Sequence, residues 1–343
     1  MEEKEYRLEE FESFLLASNV QENEVPRFLD AITGFVQFLE EKNETIFSFS
    51  YGKLIDYADT LASKDQKEAE YLIRGLWRYF PFIKKYHHIE ELLDIAESAP
   101  AMETLYGRVA EWYGETMKAE IFKDIEIPPL GAHPEKKPQV TRVILKRLEE
   151  KLGEEKTREL LRPCLHGGQF VGTDKEKFYE LRDLDQFLEL KHQDLIKEVE
   201  QHRNDKTAMF AQLVDDEVAK YVKTVPSMGP GIRDGNKIII SKIPYQTKKF
   251  LTANEPNMKR YYLCYCPWVR GAIKDGTEKE ISPNFCYCSG GYYKLYWDEI
   301  FDQSVKIEPL ETALWGDMTC KFAMEIPEEI MKEYVRDQST AIR

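Results

Sequence analysis

Five of the six cysteines in this 343-residue chain, Cys264, Cys266, Cys286, Cys288 and Cys320, fall within a window of 57 residues. Thiolate is the form of cysteine that binds metal or attacks carbon, and four thiolates satisfy a tetrahedral zinc ion with sulfur at about 2.3 Å. A thiol-rich set with no histidine nearby suits zinc or an iron–sulfur cluster better than a hard cation. The cluster is built on two Cys-x-Cys pairs. Lys259–Cys266 reads as a short β-type run, so Cys264 and Cys266 would project from one face with Tyr262 beside them. Cys286 and Cys288 lead into a helix expected from near Ser289, whose positive dipole end favours the thiolate. Cys320 shares a strand face with Phe322, Met324 and Ile326 and points to a core. Metal ligation, a nucleophilic or redox thiol, and packing as small hydrophobes are the three readings of this set.

Aromatic residues crowd the same stretch. Tyr262, Trp268, Tyr293 and Trp297 are candidates to line a ligand pocket, with tyrosine hydroxyls to orient a small polar or aromatic ligand. Their bland reading is core, because Tyr293 and Trp297 lie four apart on one helical face. Elsewhere, Cys164 and His166 are two apart and could form a nucleophile pair. Gly167-Gly168 favours instead a helix C-cap, with His166 at the negative end of the dipole. Ser227–Gly235 is glycine-rich but lacks the Lys-Ser/Thr ending of a phosphate loop, and so reads as a turn.

These residues need elements to hold them. Residues 6–120 carry apolar positions at helical spacing throughout, as in Phe28, Leu29, Ile32, Phe35, Val36 and Leu39, with no strand signal. Helices are expected near 51–63, 66–79, 88–97 and 101–122. Residues 125–139 hold four prolines and a glycine and read as a linker. A second helical block is expected to about residue 223, in segments near 140–152, 154–163, 176–186, 188–203 and 206–223. Strands follow at 237–243 and 259–266, with a hairpin of 305–314 and 318–326. The expected class is α+β: a helical domain over 1–124, then over 140–338 a helical lead-in packed on a small antiparallel sheet beside the ligand and metal site.

The net charge of −14 is lopsided, since residues 1–120 hold 25 Asp and Glu against 13 Lys and Arg. Such a surface is ill-suited to phosphate contacts, so the first domain reads as a helical interaction module, with a homodimer as one outcome. No apolar run approaches the roughly 18 residues of a membrane span, and Met1–Glu5 lacks the basic start of a signal peptide. A cytoplasmic location is expected, where thiols stay free.

The segment Phe285–Phe301 with Val305–Phe322 resembles the 4-vinyl-reductase domain. That family ends in a cysteine before a glycine-containing helix, then a hairpin with an acidic residue, cysteines and a Gly-Asp turn. The resemblance implies a small-molecule sensor with a cysteine-bound zinc. Cys286 or Cys288 and Cys320 would be thiol ligands, Glu308 or Glu311 the acidic one, and Gly316-Asp317 the turn. Thr312 stands where the first hairpin cysteine would fall. More distantly, the chain resembles the L-2-amino-thiazoline-4-carboxylic acid hydrolase-like family, which implies a hydrolase opening a small C–N ring. The spacing of the N-terminal helices resembles the SAM-like domain of phage integrases, whose members hold DNA. The charge argues against that role here. Residues 1–122 should not shift duplex DNA in a low-salt gel, and tight, steeply salt-dependent binding would overturn the charge argument.

Overall fold

A computed structural model describes residues 6–96, 100–168, 171–209 and 212–335. The acidic start Met1–Glu5, residue 97, residues 210 and 211, and the end of the second domain at 336–338 lie outside the described residues. The helical spacing of the N-terminal region resolves into helices Leu8–Ala17, Val25–Glu41, Lys53–Lys64, Gln66–Phe82 and Ile89–Ala96. Their apolar faces meet in one core, where Phe28, Ile32, Phe35, Leu39, Leu72, Leu76 and Phe80 are buried. Asp65 starts one helix by accepting the backbone N–H groups of Lys67 and Glu68, the ordinary way of satisfying exposed donors at a helix N-terminus.

Helix Ala101–Ile121, expected with that bundle, instead contributes Met102, Leu105, Val109 and Ile121 to a second, larger core. Lys136–Leu152, Glu154–Leu161, Asp174–Leu181 and Leu184–Asp205 follow, close to the expected helices. A four-stranded antiparallel sheet then forms in the order β3-β4-β6-β5, from Ile232–Asp234, Lys237–Ser241, Lys321–Glu325 and Ile307–Glu311. Ile238 and Ile240 of β4 and Phe322 and Met324 of β6 are buried at alternate positions, as the period-2 pleat requires. The β5–β6 hairpin turns through Ala313–Trp315, and helix Cys286–Phe301 packs on the sheet. The α+β class is borne out.

Three local expectations fail. Residues 259–266 are no strand: Pro256–Leu263 is a helix. Proline at its first position is pre-set for helix, and Pro-Asn-Met-Lys-Arg-Tyr-Tyr-Leu contains no β-branched residue to disfavour one. Cys264–Cys266 is only the extended bridge to the next helix, Pro267–Asp275, so the shared strand face for Tyr262, Cys264 and Cys266 is withdrawn. The helix expected over 206–223 begins at Asp216, capped by Asp215, after a two-stranded ribbon of β1 (Ala208–Met209) and β2 (Gln212–Leu213). The helix expected from Ser289 already starts at Cys286.

The two cores are joined through buried charge. Arg270 pairs with Asp94 at 2.7 Å, and both are about 2% exposed. Tyr51 donates to Asp94 at 2.7 Å, Lys137 donates to the Asp94 carbonyl at 2.8 Å, and the guanidinium lies over the rings of Tyr245 and Tyr261. Nearby Glu91 is buried, and burial pushes its carboxyl up to about 7 although the backbone N–H groups of Gly52, Leu54 and Ile55 hold the charged form. A carboxyl raised on folding contributes stability that is full below its unfolded value and lost as pH rises through about 7. Urea unfolding should therefore show stability falling from pH 5 to pH 8. The fall should flatten in Glu91→Gln, and an unchanged slope in that variant would clear Glu91 of the effect.

Candidate metal centre

Helix Cys286–Phe301 is led in by the short turn Pro283–Phe285, where the Ser282 hydroxyl accepts the Asn284 N–H at 3.2 Å. Cys288 sits in the first turn of that helix and is buried. Facing it is the loop that follows helix Glu154–Leu161. Pro163 supplies no N–H to continue that helix, and the carbonyls left over need donors. Arg108 provides them, reaching the carbonyls of Leu160, Pro163 and Cys164 at 2.5, 2.6 and 3.3 Å. The loop lies directly on the helix at Gly291, where a Cβ would stand 1.9 Å from the Arg162 carbonyl oxygen and 2.6 Å from the Cys164 nitrogen. Only glycine permits that approach.

The contact brings together Cys164, His166 and Cys288, whose ligand atoms all lie within 4.8 Å of one another. Cys164 Sγ is 3.4 Å from His166 Nδ1 and 4.0 Å from Cys288 Sγ, and Cys288 Sγ is 4.0 Å from His166 Nδ1. Ordinary zinc–sulfur and zinc–nitrogen bonds in a tetrahedron give edges of about 3.8 Å between sulfurs and about 3.6 Å between sulfur and nitrogen. The three atoms therefore occupy one face of a metal-sized tetrahedron. Both cysteines are buried while His166 is exposed. The thiols share charge unequally. A hydrogen bond from Cys288, with further help from His166, draws the Cys164 thiol down to about 4, and the same bond together with burial drives Cys288 up. The Leu165 N–H also points at Cys288 Sγ, at 3.4 Å.

Of the five cysteines expected from sequence as metal ligands, Cys288 alone belongs to this group; among the described residues, Cys264, Cys266, Cys286 and Cys320 form no group of that spacing. Cys264 ends helix Pro256–Leu263, Cys266 caps Pro267–Asp275, Cys286 opens the helix that carries Cys288, and Cys320 precedes β6. Burial raises the thiols of Cys264, Cys266 and Cys286, and that of Cys320 to about 12. Trp297 packs on Phe187, Tyr296 and Phe301, Tyr293 on Tyr292 and Phe322, and Tyr262 on Tyr261. Trp268 is fully buried, with Lys137 over its ring. These rings fill core. Glu308 accepts from Arg162 at 2.8 Å and from the Tyr287 hydroxyl at 2.7 Å, bracing the Cys164 loop, while Glu311 bonds Lys321 and Thr319. Gly167-Gly168 is not a C-cap with His166 at the dipole's negative end, because the helix ends at Leu161 and is capped at Arg162, which leaves Cys164 and His166 in the loop beyond it. Their two-residue spacing was the one signal available, and its third member lies 124 residues away.

Fold and site together define an α+β protein carrying a Cys/His cluster of metal-binding spacing. Compared with protein-family models, with curated proteins and with solved structures, the chain matches none. Gly291→Ala should separate the Cys164 loop from the helix at a cost of about 1–3 kcal/mol. Thermal unfolding reads that cost, and a variant as stable as the parent would show that the contact is not tight.

Proposed function

We propose that this protein binds a small molecule at a zinc ion held by Cys164, His166 and Cys288, in a reducing, cytoplasm-like compartment where its thiols persist. One observation carries the reading: three soft donors stand at tetrahedral spacing with one of them exposed. Structural zinc sites are closed by four protein ligands, whereas sites that bind or transform small molecules keep a position open. Two thiolates and a neutral imidazole balance the charge of zinc. The Arg108 guanidinium, close enough to both thiols to feel their charge, adds a positive wall. A ligand with an anionic or thiol donor suits that corner. Arg108 and Gly291 hold the loop in place, so the centre is preorganised before metal arrives.

Metal analysis of the purified protein should give close to one zinc per chain attributable to this group, lost in Cys288→Ser and weakened in His166→Ala. Replacement of zinc by cobalt should give a tetrahedral spectrum that changes on adding a small thiol. A metal-free protein in which Cys164 alkylates unusually fast at neutral pH would replace this reading with a nucleophilic thiol.

A further inference from the structure

Cys164 and Cys288 stand close enough to react with each other. Their sulfurs are 4.0 Å apart, and a disulfide bond is about 2.05 Å long, so about 2 Å of travel separates the two thiols from a covalent bond. The backbones that carry them are already in contact. The Leu165 N–H, one peptide past Cys164, points at Cys288 Sγ at 3.4 Å, and a Cβ at Gly291 would stand 2.6 Å from the Cys164 nitrogen. Gly291 follows Cys288 by about one turn of helix Cys286–Phe301. Arg108 pins the loop from the other side through the carbonyls of Pro163 and Cys164. With both backbones held in contact, rotation of the two side chains supplies the remaining travel.

We infer that Cys164 and Cys288 are a redox pair: a peroxide joins them in a disulfide, which withdraws both sulfurs from the metal centre, and a thiol reductant separates them again. The bond itself needs only the two sulfurs; its consequence for metal rests on the zinc reading above. One sulfur attacks hydrogen peroxide, the O–O bond breaks, and a sulfenic acid and a water form. The second sulfur then attacks the first, the S–S bond forms, the S–O bond breaks, and a second water leaves. The two sulfurs give up two electrons, the peroxide accepts both, and the two thiol protons end in the waters. Where the sulfurs begin as metal-bound thiolates, those two protons come from solvent. Metal ligation requires the thiolate, so the disulfide leaves His166 as the one donor of the three. The order in which the two sulfurs are oxidised does not alter the product.

The bond would also tie together residues 124 apart in sequence, joining the loop after helix Glu154–Leu161 to helix Cys286–Phe301. A cross-link over so long a loop constrains the unfolded chain strongly. The oxidised protein should therefore melt at a higher temperature than the reduced, zinc-free protein, and a reductant should abolish the difference.

The test uses the full chain, reduced, incubated with zinc and then treated with hydrogen peroxide. Peptides are mapped by mass spectrometry without reduction while a colorimetric chelator follows released zinc. Two of the six thiols should disappear, the Cys164 and Cys288 peptides should be found joined, and zinc should appear in step with the bond. Dithiothreitol should restore both thiols and zinc binding. Zinc that binds and stays bound, with no Cys164–Cys288 peptide, would sink the inference and leave the zinc reading standing. A Cys164–Cys288 bond in a chain that never took up zinc would support the redox pair and remove the zinc reading. Disulfides mapped instead to Cys264, Cys266, Cys286 or Cys320, or oxidation of Cys164 and Cys288 to sulfinic acids that dithiothreitol does not reverse, would also overturn the pair.

Discussion

The Arg270–Asp94 pair is the constraint on which the arrangement of the two cores rests. Asp94 belongs to helix Ile89–Ala96 of the N-terminal bundle, and Arg270 to helix Pro267–Asp275 of the second core. Removing one member of such a buried pair leaves an uncompensated charge, typically at a cost of about 3–5 kcal/mol. The pair is held from several directions: by the Tyr51 hydroxyl, by the Tyr245 and Tyr261 rings, and by Lys137 on the Asp94 carbonyl. Lys137 stands at the start of helix Lys136–Leu152, so the end of the linker is fixed by the same knot. Linker and interface are one structure, for Lys136 also pairs with Asp59 of the bundle and the His133 N–H donates to that carboxylate.

From that knot, order passes to the thiols through backbone. Arg270 lies four residues past Cys266, whose carbonyl accepts the Arg270 N–H at 2.9 Å. Thr141, one turn along from Lys137, donates to the Trp268 carbonyl at 2.9 Å. The opposite side is set by glycine. Gly290 leaves room for Phe322 of the sheet, and Gly291 for the Arg162–Cys164 loop, so one helix touches sheet and loop on adjacent residues. Bulk at either position would part the elements that place Cys288 and Cys164.

Local pattern made much of this legible. Helical spacing around Phe28–Leu39 marked the bundle, and the alternation of Ile238 and Ile240 and of Phe322 and Met324 marked the central strands. The error at 259–266 has a physical source: Tyr-Tyr-Leu-Cys-Tyr-Cys has strand-like aromatic content, yet the helix is decided by Pro256 ahead of it and Pro267 behind it. Helix Ala101–Ile121 has an apolar face that fits either core, and only tertiary packing chooses. The Cys/His group was hidden for a related reason. Cys288 stood out through its neighbours in sequence, but its partners are 122 and 124 residues away and meet it only because Gly291 lacks a side chain.

The six cysteines thus divide by their surroundings. Cys164 and Cys288 stand at metal-binding spacing beside an exposed imidazole and a guanidinium already committed to loop carbonyls. Among the described residues, Cys264, Cys266, Cys286 and Cys320 join no group of metal-binding spacing; the Ala313 N–H faces Cys320 and the Thr312 hydroxyl faces Cys286. In the second set burial raises every thiol, which favours the neutral form and packing as small hydrophobes, whereas in the first the Cys164 thiol is drawn down by its neighbours. Cys286 and Cys288 are neighbours in one helical turn, yet they face these two environments because residues two apart on a helix point in different directions.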